Sequence, residues 1–447
     1  MIESQSPGPR NSIFSVLGIG NFRLLWIGQG TSLLGDYFHF IALPWLVLQI
    51  TNNDAFALAV VLALAGIPRA LFLLVGGAIT DRISSRTVML ASDIIRLFLS
   101  AILMVLVLFG MANLWALCAI ALVFGLVGGF FQPAAGSILP SLVRESQLQA
   151  ANSLYQGSIQ LLAFVGPMLA GAVIALFGSQ SAGLGAPGSL GIAIAFALDA
   201  LSFLISVFTL SLMRVPQASR PPHEHREPIL TSIRGGISFA LHDSLLFWML
   251  IVITAANLLF AGPVSVGIPV VAKARLPEGV AAFGIIMAGY GGGNLLGTIL
   301  SGIIHARRGF APFTVALLFG FGLGLALFGW ISSTWIGFLI LLILGIGNGY
   351  LSIILITMLQ RRTPREMMGR IMSLVLLSNL GLAPISQALA GAILNYSAVA
   401  LFVGAGGLMA LVALWTALSP TARILDAEVG RMMSETETAG AAFAEAE

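Results

Sequence analysis

The chain has 447 residues, of which 58% are hydrophobic and only 9% are charged, with a formal net charge of +3. Soluble domains carry about 25% charged residues, so this composition excludes an ordinary water-soluble protein and predicts one that lies in a bilayer. The 21 basic residues are spread along the chain and form no single patch, which argues against nucleic acid as a partner.

Twelve long apolar runs follow one another along the chain. Each has roughly 20 residues or more, the length that a helix needs to cross a hydrocarbon core of about 30 Å. The runs are continuous rather than alternating, which argues against a transmembrane barrel. We predict an all-α integral membrane protein whose twelve helices lie near residues 21–50, 55–79, 88–109, 112–140, 151–178, 189–213, 244–272, 280–304, 311–333, 335–361, 367–395 and 398–419.

Polar stretches divide the chain into domains. Residues 1–20 lack the pattern of a cleaved signal peptide and are predicted to be a cytoplasmic tail. Residues 214–243 are rich in proline and charge, and they predict a cytoplasmic linker whose later part, from Ile229, is an interfacial helix. The linker separates a first six-helix bundle, 21–213, from a second, 244–419, and a C-terminal tail follows at 420–447.

The basic residues predict the topology of these bundles. Seventeen of the 21 fall in the tails and alternate gaps or within four residues of them, whereas Lys273 and Arg275 fall on the opposite side and Arg69 and Arg96 lie deeper within apolar runs. Because Lys and Arg are enriched in cytoplasmic loops, both termini are predicted to be cytoplasmic. A sparse internal repeat agrees with the two bundles, since residues 145–172 match residues 365–392 at a shift of 220 positions.

The gap between helices two and three contains Gly77, Asp81, Arg82 and Arg86. It resembles the signature loop of the major facilitator superfamily, with a spacing one residue longer than the commonest form. The resemblance implies a transporter whose loop acts as a conformational latch near the start of helix eleven. An ordinary charged turn is the alternative. Together with two charged residues of helix three, the residues assigned to this latch are Gly77, Asp81, Arg82, Arg86, Asp93, Arg96, Gly369 and Arg370.

Helix five carries a second resemblance. Gly157, Gly166, Pro167 and Gly171 are similar to the motif found in exporters and antiporters of that superfamily, although Ala170 replaces the first glycine of the final pair. A Gly-Pro pair inside a helix permits a bend. Generic packing of small residues is the alternative. Stretches near residues 21–44 and 139–154 resemble the macrolide-efflux and enterobactin-exporter branch.

Ionisable residues inside the apolar runs are candidates for proton coupling. Asp36, His39, Arg69 and Asp199 lie within helices one, two and six. A charge at mid-bilayer costs about 2.5–3.5 kcal/mol, so such residues are kept for pairing or function. We expect Asp36 to carry the proton, with His39 as a second candidate. A permanent Asp36–Arg69 ion pair is the alternative, and Asp199 could instead face a wet cavity or bind a cationic substrate. Asp93 and Arg96 are spaced to form an i,i+3 pair.

Uncharged polar and aromatic residues inside the runs are candidates for a substrate cavity, because they can bond or stack on an amphipathic molecule. They are Gln29, Phe38, Gln156, Gln160, Asn257, Tyr290, Asn294, Asn379 and Gln387. The glycine-dense segments 289–297 and 345–349 lack the Lys-Ser/Thr of a nucleotide loop and predict close helix packing instead.

The sequence as a whole predicts a secondary transporter of the bacterial cytoplasmic membrane, which exports a drug, macrolide or siderophore in exchange for protons. An importer or facilitator for a nutrient or lysolipid is one alternative, and a receptor or scaffold that transports nothing is another. No enzyme activity, cofactor or metal is expected, and the single cysteine, Cys118, excludes a disulfide framework. The expected partners are a small-molecule substrate, protons and the lipid bilayer, and the protein is expected to be a monomer.

Overall fold

The computed structural model describes residues 13–178, 189–214, 237–303 and 310–419. Within these ranges the regular secondary structure is helical and includes no strand. Twelve helices are long and apolar enough to cross a membrane, which confirms the predicted all-α architecture. Most of the predicted linker and the whole predicted C-terminal tail lie outside the described residues.

The membrane helices of the first half agree closely with the apolar runs. They are α1 (Gly20–Ile50), α2 (Ala55–Arg82), α3 (Ser85–Leu108), α4 (Leu114–Ile138), α5 (Leu148–Gly178) and α6 (Ser189–Leu212). Short 3-10 turns at Leu139–Ser141 and Glu145–Gln147 join α4 to α5. Each segment is helical because apolar chain in lipid must satisfy its backbone hydrogen bonds internally, and it is long because it must cross a hydrocarbon core of about 30 Å.

The second half differs from the prediction at two helices. α7 runs over Ser244–Gly262, passes through a π-helical turn at Pro263–Gly267 and ends as Ile268–Arg275. α11 is divided into Arg365–Leu380 and Ala383–Leu394. The remaining helices are α8 (Val280–Ile303), α9 (Phe310–Phe328), α10 (Thr334–Arg362) and α12 (Ala398–Leu418).

The irregular part of α7 has a cause in α11. The Gly262 N–H donates to Ser386 Oγ at 2.7 Å, and the Ser386 hydroxyl donates to the Leu258 carbonyl at 2.5 Å. In a regular helix these two backbone groups bond to each other directly. The inserted hydroxyl, together with Pro263, which has no N–H, interrupts the regular winding of α7.

The two halves repeat the same helix packing. α3 packs extensively against α6, and six helices later α9 packs in the same way against α12. α2 and α4 approach closely at Gly129, where a Cβ would lie 2.9 Å from the Arg69 carbonyl oxygen. α8 and α10 approach at Gly345, where a Cβ would collide with the Tyr290 carbonyl oxygen. The glycine-dense segments of α8 and α10 therefore serve close packing, as predicted.

By packing, the chain forms two compact units. Unit 1 comprises Met1–Leu43 and Pro68–Glu224, and unit 2 comprises Pro44–Ile67 and His225–Glu447. The predicted bundles divide the chain at one point, whereas the two units exchange one further segment. This segment, Pro44–Ile67, comprises the end of α1 and the start of α2 and belongs to unit 2.

This segment, residues 44–67, is held within unit 2 by specific contacts. The Lys273 ammonium lies 5.7 Å from the centre of a Trp45 ring, within the range of a cation–π interaction. Gly391 of α11 lies against α2, where a Cβ would be 3.0 Å from the Ala55 carbonyl oxygen. Small residues on facing helices allow this close approach in a membrane protein.

Candidate functional site

A hydrogen-bonded carboxylate lies in the interior of unit 1. Asp199 of α6 is fully buried. Its Oδ2 is 3.3 Å from His39 Nδ1 of α1 and accepts a hydrogen bond from the Ser100 hydroxyl of α3 at 2.6 Å. The His39 ring stacks on Phe124 with 4.3 Å between ring centres. Three helices therefore meet at one titratable group, and an aromatic ring fixes the plane of its imidazole partner.

A second carboxylate pairs with an arginine nearby. The expected i,i+3 pair is confirmed, with Asp93 Oδ1 3.9 Å from Arg96 Nη1. Asp93 Oδ2 also accepts from the Ser206 hydroxyl at 2.6 Å, and the Arg96 guanidinium lies 4.3 Å from the centre of the Phe131 ring. Both charged side chains are buried, and their contacts are made with α4 and α6 inside unit 1.

Asp36 lines a cavity of about 260 Å³ in unit 1. Gln29 and the aromatic residues Trp26, Phe131 and Tyr155 line the same cavity. In the described part of the chain, Asp36 and Arg69 form no ion pair within 4.0 Å, so the permanent bridge considered above is absent from this conformation.

Asp36 is nevertheless part of one electrostatic network. The charged or titratable groups that act on it are Arg96, Asp199, Arg69, His39 and Asp93. Arg69 is exposed, and its side chain passes beside Gly128 of α4. The network thus extends from the wall of the cavity to the buried His39–Asp199 contact.

Unit 2 contains a cavity of about 180 Å³ with a different chemical character. It lies among α7, α8, α9, α10, α11 and α12. The residues with polar side chains that line it are Asn257, Tyr290, Asn348, Ser352 and Asn379. Its other lining residues are aliphatic or aromatic, so the part of the chain that the structure describes offers this cavity amides and hydroxyls but no acidic or basic side chain.

The asparagines of this cavity bond in pairs across helices. Asn257 Nδ2 of α7 donates to Asn379 Oδ1 of α11 at 2.9 Å. Asn348 Nδ2 of α10 donates to Asn294 Oδ1 of α8 at 2.8 Å. Each pair fixes the position of amide groups that an isolated side chain would leave free to rotate.

The predicted cavity residues thus separate into different places. Asn257, Tyr290 and Asn379 line the unit 2 cavity, and Asn294 accepts a hydrogen bond from the lining residue Asn348. Gln29 lines the unit 1 cavity. The others line neither cavity: Phe38 is buried, Gln156 is exposed, and Gln160 and Gln387 are partly buried. Asn348 and Ser352 also line the unit 2 cavity and were not predicted, and Asn348 lies in a glycine-dense segment interpreted only as a packing surface.

The residues assigned to the latch are only partly described. Arg86 Nε and Nη2 donate to the Leu210 and Ser211 carbonyls at 2.7 and 2.6 Å, so this side chain caps the end of α6. Arg370 Nη1 contacts Met367 Sδ at 3.7 Å. The side chains of the loop residues Gly77, Asp81 and Arg82 lie outside the described residues, and so do the surroundings of Gly369.

The helix-five motif lies on α5 within unit 1. Gly166 packs against α1, where a Cβ would lie 2.6 Å from the Tyr37 ring. Pro167 and Gly171 are buried beside it, whereas Gly157 faces open space. No group of three or more potential ligands among the described residues could hold a metal ion.

Comparisons with known proteins agree with this architecture. A sequence profile described as Major Facilitator Superfamily matches residues 25–385. The enterobactin exporter EntS of Shigella boydii is 28% identical over 384 residues, which cover 83% of this chain and 84% of the exporter. The multidrug efflux pump Tap of Mycolicibacterium fortuitum is 28% identical over 258 residues, which cover 56% of this chain and 59% of the pump.

Solved structures share the fold. A bacterial homologue of the iron transporter ferroportin in an inward-facing state superposes with a TM-score of 0.70 and 19% identity, covering 91% of this chain and 100% of that one. A bacterial homologue of human drug peptide transporters gives a TM-score of 0.65 and 15% identity, covering 93% of this chain and 99% of that one.

Proposed function

The chain belongs to the Major Facilitator Superfamily, and from that premise we propose that it exports a small amphipathic organic molecule in exchange for protons. The chain is a multi-pass membrane transporter and not an enzyme. The direction of transport is supported by its relatives, because both EntS and Tap are named as exporters. A drug, macrolide or siderophore is the proposed substrate.

The contact between His39 and the fully buried Asp199 is the observation that supports proton coupling. Asp36 lies on a cavity wall and can exchange protons there, and His39 follows it by one turn of α1. His39 in turn contacts Asp199, so titratable groups form a path from the cavity into the unit. We assign proton uptake to Asp36, transfer to His39 and Asp199, and adjustment of the local field to Arg69.

Substrate binding is assigned to the cavities. The polar side chains of the unit 2 cavity bind one part of the substrate. Gln29 is assigned as a binding residue of the unit 1 cavity. The proton gradient can drive export, since one charge moving through about 100 mV supplies about 2.3 kcal/mol. That free energy supports roughly a fiftyfold gradient of a neutral solute.

The distribution of basic residues supports a proposal for the membrane and the topology of the protein. We propose the cytoplasmic membrane of a bacterium, with both termini inside, because basic residues concentrate on that side. The protein acts as a monomer with two six-helix bundles joined by a cytoplasmic linker. The loop that contains Asp81 acts as the latch, and Gly166 and Pro167 let α5 bend during the cycle.

Transport in proteoliposomes with an imposed pH gradient tests this function. The purified protein should accumulate a labelled substrate against its gradient, and Asp36→Asn should lower the initial rate at least tenfold. Glu145→Gln is the matched control, because Glu145 lies in an exposed turn outside the network. Unchanged proton-driven transport by Asp36→Asn would exclude Asp36 as the proton carrier.

The same assay separates the rival functions. Accumulation by intact cells, instead of extrusion, would indicate an importer or facilitator for a nutrient or lysolipid. A protein that binds ligand but moves none in proteoliposomes would be a receptor or scaffold.

A further inference from the structure

The cavity of unit 2 contains no formal charge on its walls. Among residues 13–178, 189–214, 237–303 and 310–419, those that line it include no aspartate, glutamate, lysine, arginine or histidine. An ionic group that entered would lose its water without meeting an opposite charge, which is strongly unfavourable. By contrast, the charged network of Asp36, Asp93, Arg96 and Asp199 belongs to unit 1.

The polar wall offers both donors and acceptors. Among the described residues, the Asn379 amide nitrogen has no hydrogen-bond acceptor, and the side-chain carbonyls of Asn257 and Asn348 have no donor. A side-chain amide can donate two hydrogen bonds and accept two, so each asparagine keeps unused capacity toward the cavity. A ligand group that both donates and accepts, such as an amide or a phenol, matches this wall.

Aromatic rings also line the cavity. The Phe260 ring lies between Tyr290 and Phe321, with 4.9 and 5.1 Å between ring centres. These distances suit offset or tilted aromatic packing, and a further ring can continue the stack. The volume of about 180 Å³ is below the roughly 300–1,000 Å³ of pockets for drug-sized ligands. The cavity therefore holds one ring and its polar substituent rather than a whole drug-sized molecule.

We infer that the unit 2 cavity binds an uncharged aromatic amide or phenol, which is one part of the transported molecule. Its role in transport rests on the proposed function, whereas binding itself does not. The proton and this part of the substrate occupy different units, so they do not compete for one side chain.

Calorimetric titration of the purified full-length protein with three small probes tests the inference. Benzamide, benzoate and benzylamine share one ring and differ mainly in charge at pH 7. Benzamide should bind at least tenfold more tightly than either charged probe. Asn257→Leu and Asn379→Leu should each weaken benzamide binding about tenfold, and Gln360→Leu, an exposed position of α10 outside the cavity, should not. Absence of benzamide binding, or similar affinities for all three probes, overturns the inference.

A substitution that introduces a charge controls for loss of binding that is caused only by unfolding. Asn379→Asp keeps the size of the side chain and should lose benzamide while gaining benzylamine. A gain of binding cannot come from misfolding, and an Asn379→Asp protein that keeps the wild-type preference contradicts the inference. Asp36→Asn should retain benzamide binding. If proton-driven transport fails while benzamide selectivity holds, the proposed function is wrong and the binding site stands.

Discussion

Ser386 of α11 accepts a hydrogen bond from the Gly262 backbone N–H of α7 at 2.7 Å and joins two helices that both depart from regular winding. Ser386→Ala removes the bridge and leaves the Gly262 N–H and the Leu258 carbonyl without it. Buried hydrogen bonds in membrane proteins contribute about 0.6 kcal/mol on average and reach about 1.7 kcal/mol. We expect a loss of free energy of unfolding of about 0.6–1.7 kcal/mol, measured by denaturant unfolding in detergent.

Ser301→Ala is the matched control for that substitution. The Ser301 hydroxyl donates only to Thr298 of its own helix at 2.7 Å, so its removal should change stability by less than about 0.5 kcal/mol. Equal losses of stability in the two variants would show that the hydrogen-bonded bridge between α7 and α11 contributes no more than a hydrogen bond within one helix.

Two glycines of α10 provide a test of the contact with α8. A Cβ at Gly345 would collide with the Tyr290 carbonyl, whereas a Cβ at Gly347 would lie 3.7 Å from Leu317, an ordinary contact. Gly345→Ala should destabilise the protein by about 1–3 kcal/mol because backbone must move. Gly347→Ala should be neutral or slightly stabilising, since alanine favours helix. Thermal unfolding of both variants measures the difference, and a tolerated Gly345→Ala would contradict this packing.

Substitutions of Arg86 test whether this residue caps a helix or acts in the latch. Its two hydrogen bonds to the end of α6 predict that Arg86→Ala lowers stability by about 1–3 kcal/mol. Arg86→Lys should restore only part of this loss, because an ammonium cannot replace the guanidinium fork. Unfolding curves and transport rates should be measured on the same preparations. Normal stability combined with lost transport would instead support a role in the latch.

Asp199→Asn tests the interior end of the proposed proton path. The substitution keeps the size of the side chain and a group that can accept from Ser100, but removes the charge facing His39. We expect export driven by a pH gradient to fall at least tenfold, while substrate exchange without a gradient persists. Loss of both activities, with Glu145→Gln normal, would point to a structural role for Asp199.

Hydropathy was sufficient to predict most of the fold. The apolar run at 189–213 corresponds to α6 at Ser189–Leu212, because lipid leaves a segment of this length no other way to satisfy its backbone. The π-helical turn of α7 was not predictable as such, since it depends in part on a contact between Gly262 and Ser386, which are far apart in sequence.

The candidate site was predictable in residue type but not in arrangement. Asp36, His39 and Asp199 stand out as ionisable residues in apolar runs, and the ion pair considered as the alternative role of Asp36 was with Arg69. The structure instead places His39 beside Asp199, a pairing that depends on how α1 packs against α6. Asn348 was missed for a similar reason, because only the packed helices show that it faces a cavity.

The assignment of residues 44–67 to unit 2 bears on how the protein is made. Residues 44–67 are synthesised long before α7. The helices of unit 2 must therefore pack against a segment that is already inserted in the membrane. A gene fragment starting at residue 237 would encode a product without its Trp45 and Ala55 contacts. Supplying α1 and α2 on a separate polypeptide should rescue the accumulation of that fragment in cells.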